Sequence, residues 1–259
     1  MKEKQSDLGE MWDAEALQEK FTQKLKEAEA GDLQAQIFVA WGYFYGSGTK
    51  QDYAAAIPWL RKAAERDNDR AWFLLGCCYS AGLGVEPDIA EDYACFKRAA
   101  DLGNCNAIGM IAMHYETGYY VKADRTKAVE LYKQAAEKGD GFSQFALGCS
   151  YREGEMVPKD EKKAFYWFKR AAENGESDAY SFVGDCYLNG TGVKQSDQKA
   201  ISCYQQGVEH NDLISIRTLA ECYYFGIGTP IDTPKAIKLL EILAEEGYAD
   251  ANQRLGELY

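Results

Sequence analysis

The residues of this chain that could do chemistry are few. Only two histidines occur, His114 and His210, and they are 96 positions apart. A histidine-based metal site or catalytic triad therefore has almost no material to draw on. The eight cysteines include no C-x-x-C pair, and no spacing typical of metal ligands emerges. One motif reads as catalytic: Ser196-Asp-Gln-Lys199 spells S-x-x-K, which in penicillin-interacting enzymes sets a nucleophilic serine beside a lysine. Taken alone, it would suggest a hydrolase acting on cell-wall material or β-lactams. The elements that would hold these residues decide against that.

Seven tyrosines recur at a fixed step of 36: Tyr43, Tyr79, Tyr115, Tyr151, Tyr187, Tyr223 and Tyr259. So strict a spacing means one small structural unit stacked on copies of itself, each burying its core against a neighbour. With Gly31 as position 0, six units run 31–66, 67–102, 103–138, 139–174, 175–210 and 211–246, followed by a half unit 247–259. Position 0 is glycine except at Asp67 and Asn211, polar residues that tolerate a left-handed backbone, which reads as a helix C-terminal cap. Position 15 is glycine in all six units and ends a first helix, A. Position 17 is usually glycine, but Tyr120 and Met156 break the pattern, so a positive φ is not expected to be compulsory there. Position 21 is aspartate, or Ser196 in the fifth unit, and caps the start of a second helix, B. Ser196 is thereby a helix cap, and Lys199 matches Lys127, Lys163 and Lys235.

Helix A carries small or apolar residues at positions 4, 8, 9 and 12, as in Ala35, Val39, Ala40 and Tyr43. Helix B answers at 25, 26, 29, 32 and 33, as in Ala164, Phe165, Phe168, Ala171 and Ala172. Both sets follow the i, i+3/i+4 spacing of one helical face. Two residues strain the pattern. Pro58 lies within a helix B and should kink it, and Asp92 replaces the alanine of position 25.

The segments GDLQAQIFVAWGYFYGSGTKQDYAAAIPWLRKAAERD and GDGFSQFALGCSYREGEMVPKDEKKAFYWFKRAAENG resemble Sel-one-like repeats (SLR), relatives of tetratricopeptide repeats. The resemblance covers 31–259. It implies an all-α fold, an α/α right-handed superhelical solenoid of helix–loop–helix repeats whose helices A line the concave surface. It also implies the family's usual role, an adaptor between proteins, often bacterial. Residues 1–30 are expected to be a tail and a capping helix from about Asp13, with Leu17, Phe21, Leu25 and Ala28 on one side; 247–259 should cap the other end with a polar face at Asn252, Gln253 and Arg254.

A cysteine-rich secreted branch of the family crosslinks its repeats through positions 32, 33 and 4, which here are mostly alanine. Cys78 with Cys95, and Cys186 with Cys203, stand at positions 11 and 28, where bridges are geometrically thinkable; free thiols packed as small hydrophobes are the leading expectation. At the same pair of positions Trp59 and Trp167 face Gly42 and Ser150, which suggests that 11 and 28 share a volume.

The net charge of −12 speaks against nucleic acid, since no basic stripe is present. No segment has the length of a membrane span, and Met1–Glu10 lacks the apolar core of a secretory signal. A cytoplasmic location is expected, with an exported, host-facing or periplasmic protein the alternative if a signal has been removed. No cofactor or metal is expected, and the expected class is a binding protein rather than an enzyme.

The candidate binding groove comprises helix A positions 3, 6, 10 and 13, which vary between units while the core positions do not. The earlier units supply Ile37, Trp41, Phe44, Phe73, Met113, Phe142 and Phe145. The later ones supply Asp178, Asp185, Glu221, Asp250 and Glu257, tempered by Arg152 and Arg217. Exposed aromatics on such a wall are typical anchors. The expected partner is a protein or peptide presenting apolar side chains together with a basic segment.

Overall fold

The computed structural model describes residues 3–258; of these, the side chains of residues 3–13 and of Glu257 lie outside the description, as does Tyr259 altogether. Two of the sequence expectations, Glu257 as a groove residue and Tyr259 as the last of the tyrosine series, therefore fall outside the described residues. Among the described residues there are fourteen α-helices and no strand. The first, α1 (Glu3–Glu29), begins about ten residues before the expected capping helix. Thirteen more follow as A and B alternately: α2 (Leu33–Tyr45), α3 (Tyr53–Ala64), α4 (Asp69–Ala81), α5 (Ile89–Asp101), α6 (Cys105–Thr117) and α7 (Arg125–Glu137). Then come α8 (Gly141–Glu153), α9 (Glu161–Glu173), α10 (Ala179–Asn189), α11 (Asp197–Glu209), α12 (Leu213–Phe225), α13 (Thr233–Glu245) and α14 (Ala249–Leu258). The chain divides into two compact units, residues 1–124 with α1–α6 and residues 125–259 with α7–α14.

Capping chemistry sets the helix boundaries. Each helix A from α2 to α12 ends on a position-15 glycine in the left-handed region, with φ between 67° and 79°. The position-0 residues also take positive φ, including Asp67 at 57° and Asn211 at 58°. The cap side chains of Asp52, Asp88, Asp160, Ser196 and Asp232 accept hydrogen bonds from the first-turn amides of their helices B. Ser196 Oγ accepts from the Lys199 amide at 3.4 Å, while the Lys199 ammonium lies 5.3 Å from the Tyr187 ring centre. The S-x-x-K motif is thus a cap and a cation on a tyrosine. Lys163 over Tyr151 and Lys235 over Tyr223 repeat the arrangement.

At position 17 a positive φ is common but not compulsory, as the sequence suggested: Met156 does not adopt it. Gly48, Gly84, Gly192 and Gly228 all have positive φ, and a Cβ on Gly84 would come 2.5 Å from the Ala54 amide nitrogen. Tyr120 adopts the same conformation, φ 72°, despite its side chain. The helix α3 continues through Pro58, which is exposed, so the ring needs no room in the core.

In five of the six repeats the side-chain sizes at positions 9 and 29 are matched; the third, with Ala112 and Tyr132, departs from the pattern. Where position 9 is Gly76, Gly148 or Gly184, the helix-B residue is Phe96, Phe168 or Tyr204, and an added Cβ would strike that ring. Where position 9 is Ala40 or Ala220, position 29 is Leu60 or Leu240. Positions 11 and 28 also lie close, Cys78 with Cys95 in one cluster and Cys186 with Cys203 in another, while beside Gly42 an added Cβ would strike the Phe21 ring of α1. In the first unit Phe21 and Ala28 seal α1 onto Ala35 and Val39. In the second, Tyr151, Phe168, Ala171 and Val183 share one cluster, and Ile216, Leu240, Leu243 and Ala251 share another. A buried aromatic such as Tyr151 contributes about 3–5 kcal/mol to such a core.

All eight cysteines are free thiols in the structure. Burial pushes Cys95 and Cys77 up to about 12 and Cys78 up to about 11, so these thiols are poor nucleophiles at neutral pH.

Candidate peptide-binding surface

In the first unit the exposed faces of the helices A form a cleft of about 300 Å³. Trp41 and Tyr45 project from α2, Arg70, Phe73 and Leu74 from α4, and Asn104 and Asn106 from the start of α6. The spacing explains the convergence, because Trp41, Arg70, Phe73 and Asn106 occupy positions 10, 3, 6 and 3 of successive units. Tyr45 is 61% exposed, and Arg70 sits 5.5 Å from the Trp41 ring centre. Arg70 has no ion pair among the described residues. The cleft can hold an apolar side chain against aromatic walls and offer the Asn106 amide to a peptide backbone, Asn104 being engaged as the cap of α6 and by Asp69.

The structure brings Trp41 and Phe73 together here, as the pattern suggested. It removes Ile37 and Phe44, which are 8% and 9% exposed and belong to the core of the first unit. Phe44 packs edge-on to Tyr53 at 5.2 Å, so neither residue is available to a partner. Met113 is half-buried on α6 and does not line the cleft. Tyr45, Arg70, Asn104 and Asn106 were missed; Arg70 and Asn106 were findable, since both occupy position 3.

In the second unit Phe145 is a packing residue. Its ring lies 5.7 Å from Phe168 and 5.1 Å from Phe182, and Arg152 covers Phe182 at 4.5 Å. Phe142 meets Tyr132 at 6.1 Å. Asp185 is exposed but accepts a 2.7 Å hydrogen bond from the Tyr204 hydroxyl. Glu221 is engaged by Arg254 at 3.2 Å. Asp178 and Asp250 are exposed carboxylates without an ion pair among the described residues. Arg217, Glu221 and Asp250 meet at a second and larger pocket, about 530 Å³, between α12, α13 and α14.

One arrangement escaped the sequence entirely. His114 and Asp92, both almost fully buried, face one another across α5 and α6 with Nε2 and Oδ1 3.1 Å apart. His114 Nδ1 donates to the Tyr119 carbonyl at 2.7 Å, which fixes the tautomer because a carbonyl can only accept. Burial pushes the Asp92 carboxyl above its ordinary range, and His114 and the Ser80 hydroxyl pull it partly back. With both side chains almost fully buried and the site closed to solvent, the pair joins helices and has no access to a substrate. The signal was present: Asp92 is the one non-alanine at position 25, and His114 is one of two histidines.

Paired helices joined by capped glycine loops, repeated along the chain, define an α-helical repeat protein. The Sel1 repeat model matches residues 33–68, 70–104, 105–140, 141–176, 177–212 and 217–248, and the chain belongs to the Sel1-repeat family. Proteins of this family generally act as protein-interaction scaffolds, and the fold is typically non-catalytic. Among solved structures, the chain is 33% identical to a protective antigen of uropathogenic Escherichia coli displaying an SLR fold, covering 92% of this chain at a TM-score of 0.71. The chain spans 51% of that protein, about half its length. A Sel1 repeat protein from Oxalobacter formigenes is 25% identical with a TM-score of 0.73, covering 90% of this chain and 93% of that one. An immunity protein from Pseudomonas aeruginosa, 19% identical over 75% of each chain at a TM-score of 0.53, shares the fold alone. No curated protein matches.

Proposed function

We propose that this chain is an interaction module that holds a peptide segment or partner surface against its helices A. The aromatic cleft of Trp41, Tyr45 and Phe73 carries the reading, since two apolar walls with the Arg70 guanidinium and the Asn106 amide at their edge suit a polypeptide better than a reactive small molecule. The partner presents apolar side chains to the first unit. To the second it presents Lys or Arg, which suits the uncommitted carboxylates of Asp178 and Asp250.

Peptides selected from a random display library against the intact chain give a direct test by fluorescence anisotropy. Replacing Tyr45 by Ser together with Arg70 by Ala should weaken the selected peptides at least about tenfold, the scale of a lost anchor. Replacing Tyr166, exposed on the helix B α9, by Ser should leave affinity unchanged. The opposite pattern would place the binding surface on the helices B.

A further inference from the structure

The second unit contains a receptacle whose chemistry can be read from the repeats before it. In the pair α8–α9 and in α10, Phe145, Phe168 and Phe182 pack as a cluster of tilted and edge-on rings with centroid distances of 5.7, 5.1 and 4.9 Å. The Arg152 guanidinium closes that cluster, 4.5 Å from Phe182. Two repeats later, at a step of 72 residues, the same four positions hold Arg217, Leu240, Arg254 and Tyr224. Two rings have become guanidinium groups and the third a leucine, and the space they vacate is the 530 Å³ pocket. Its floor of Ala220, Leu240, Leu243 and Ala251 is buried and apolar.

We infer that this pocket receives an aromatic side chain of a partner polypeptide, from a residue adjacent to a Lys or Arg. The inference rests on the proposed peptide-binding function and adds a named anchor to it. An incoming ring takes the volume that the chain's own phenylalanines fill at α8–α10, resting on Leu240 with the guanidinium groups beside its faces. Arg254 is oriented by Glu221 at 3.2 Å, whereas Arg217 is exposed and has no ion pair among the described residues. The negative face of an aromatic ring complements both cations. The exposed Asp250 at the rim complements a base next to that ring. Tyr224 and Phe225, in edge contact at 4.7 Å, extend the apolar wall outward.

The test titrates the isotope-labelled intact chain with two blocked pentapeptides, Gly-Ser-Phe-Lys-Gly and Gly-Ser-Leu-Lys-Gly, following backbone amide shifts by NMR. The phenylalanine peptide should shift the amides of Ala220, Leu243 and Ala251 and bind roughly three- to fivefold more tightly, the gain expected of an exposed cation–π contact. The double variant Arg217→Phe/Arg254→Phe restores two of the three rings over Leu240 and fills the cavity. It should lose these shifts while unfolding at a higher temperature than the parent. The single variant Arg217→Gln sits at an exposed position and keeps the cavity, so it should keep weak binding but lose the preference for phenylalanine. Equal affinity for the two peptides, or undiminished binding by the filled variant, would overturn the inference. Shifts confined to Trp41, Phe73 and their neighbours would overturn it too, while leaving the first unit's cleft as the binding site. Shifts at the pocket that grow with protein concentration before peptide is added would also contradict it, since the occupant would then be a second copy of the chain.

Discussion

At the residue scale, the buried Asp92–His114 pair has a measurable signature. The Asp92 carboxyl is held above its ordinary range mainly by burial, so the folded state keeps this proton at pH values where the unfolded chain has released it. The associated stability is fully present below the unfolded value near 3.9 and is lost as pH rises through the raised folded value. An asparagine has no such proton to lose, and its amide can donate to His114 Nε2 in the same place. Urea midpoints of the Asp92→Asn variant should therefore fall less between about pH 4 and pH 7 than those of the parent. Parallel curves for the two proteins would show that Asp92 does not titrate in that window. The pair also shows what a repeat frame leaves unread. Position-by-position comparison marks Asp92 as deviant, but not the residue that answers it. Ile37 and Phe44 failed for a related reason: they share a helical face with Trp41, yet their rows tilt into the core.

At the scale of the helix, the frame was legible almost throughout, because the caps and glycines that end helices act locally. The thirteen helices from residue 31 onward, and the left-handed caps at Asp67 and Asn211, follow from residue type and spacing alone. Position 17 divides as the two non-glycine residues allow: Tyr120 takes the left-handed turn despite its side chain, whereas Met156 does not. Packing partners between helices were harder, and the size exchange at positions 9 and 29 makes a direct test. Gly76→Ala puts a methyl 2.6 Å from the Phe96 ring and should cost about 1–3 kcal/mol. Combined with Phe96→Leu, which recreates the Ala40–Leu60 combination, much of that cost should vanish. A denaturant-based double-mutant cycle reads the coupling, and strictly additive losses would show that the two sites do not share the space.

At the scale of the whole molecule, the charge of −12 sets a background that attracts basic partners and is screened by salt. Asp185 and Glu221 already serve Tyr204 and Arg254, so the free attraction resides at Asp178 and Asp250. Reversing these two to lysine should weaken association with a selected peptide more at low than at high ionic strength, measured by anisotropy across a salt series. An effect independent of salt would assign them a packing role. The central claim is that a polypeptide partner sits on the helices A, and site-specific photo-crosslinking tests it most directly. With p-benzoylphenylalanine in place of Tyr45 on α2, irradiation in the native cells should yield a covalent adduct to another protein, mapped by mass spectrometry. The adduct should disappear when Arg70 and Asn106 are both replaced by Ala. Adducts formed from the same probe at Tyr166 on α9, and none from Tyr45, would contradict the account.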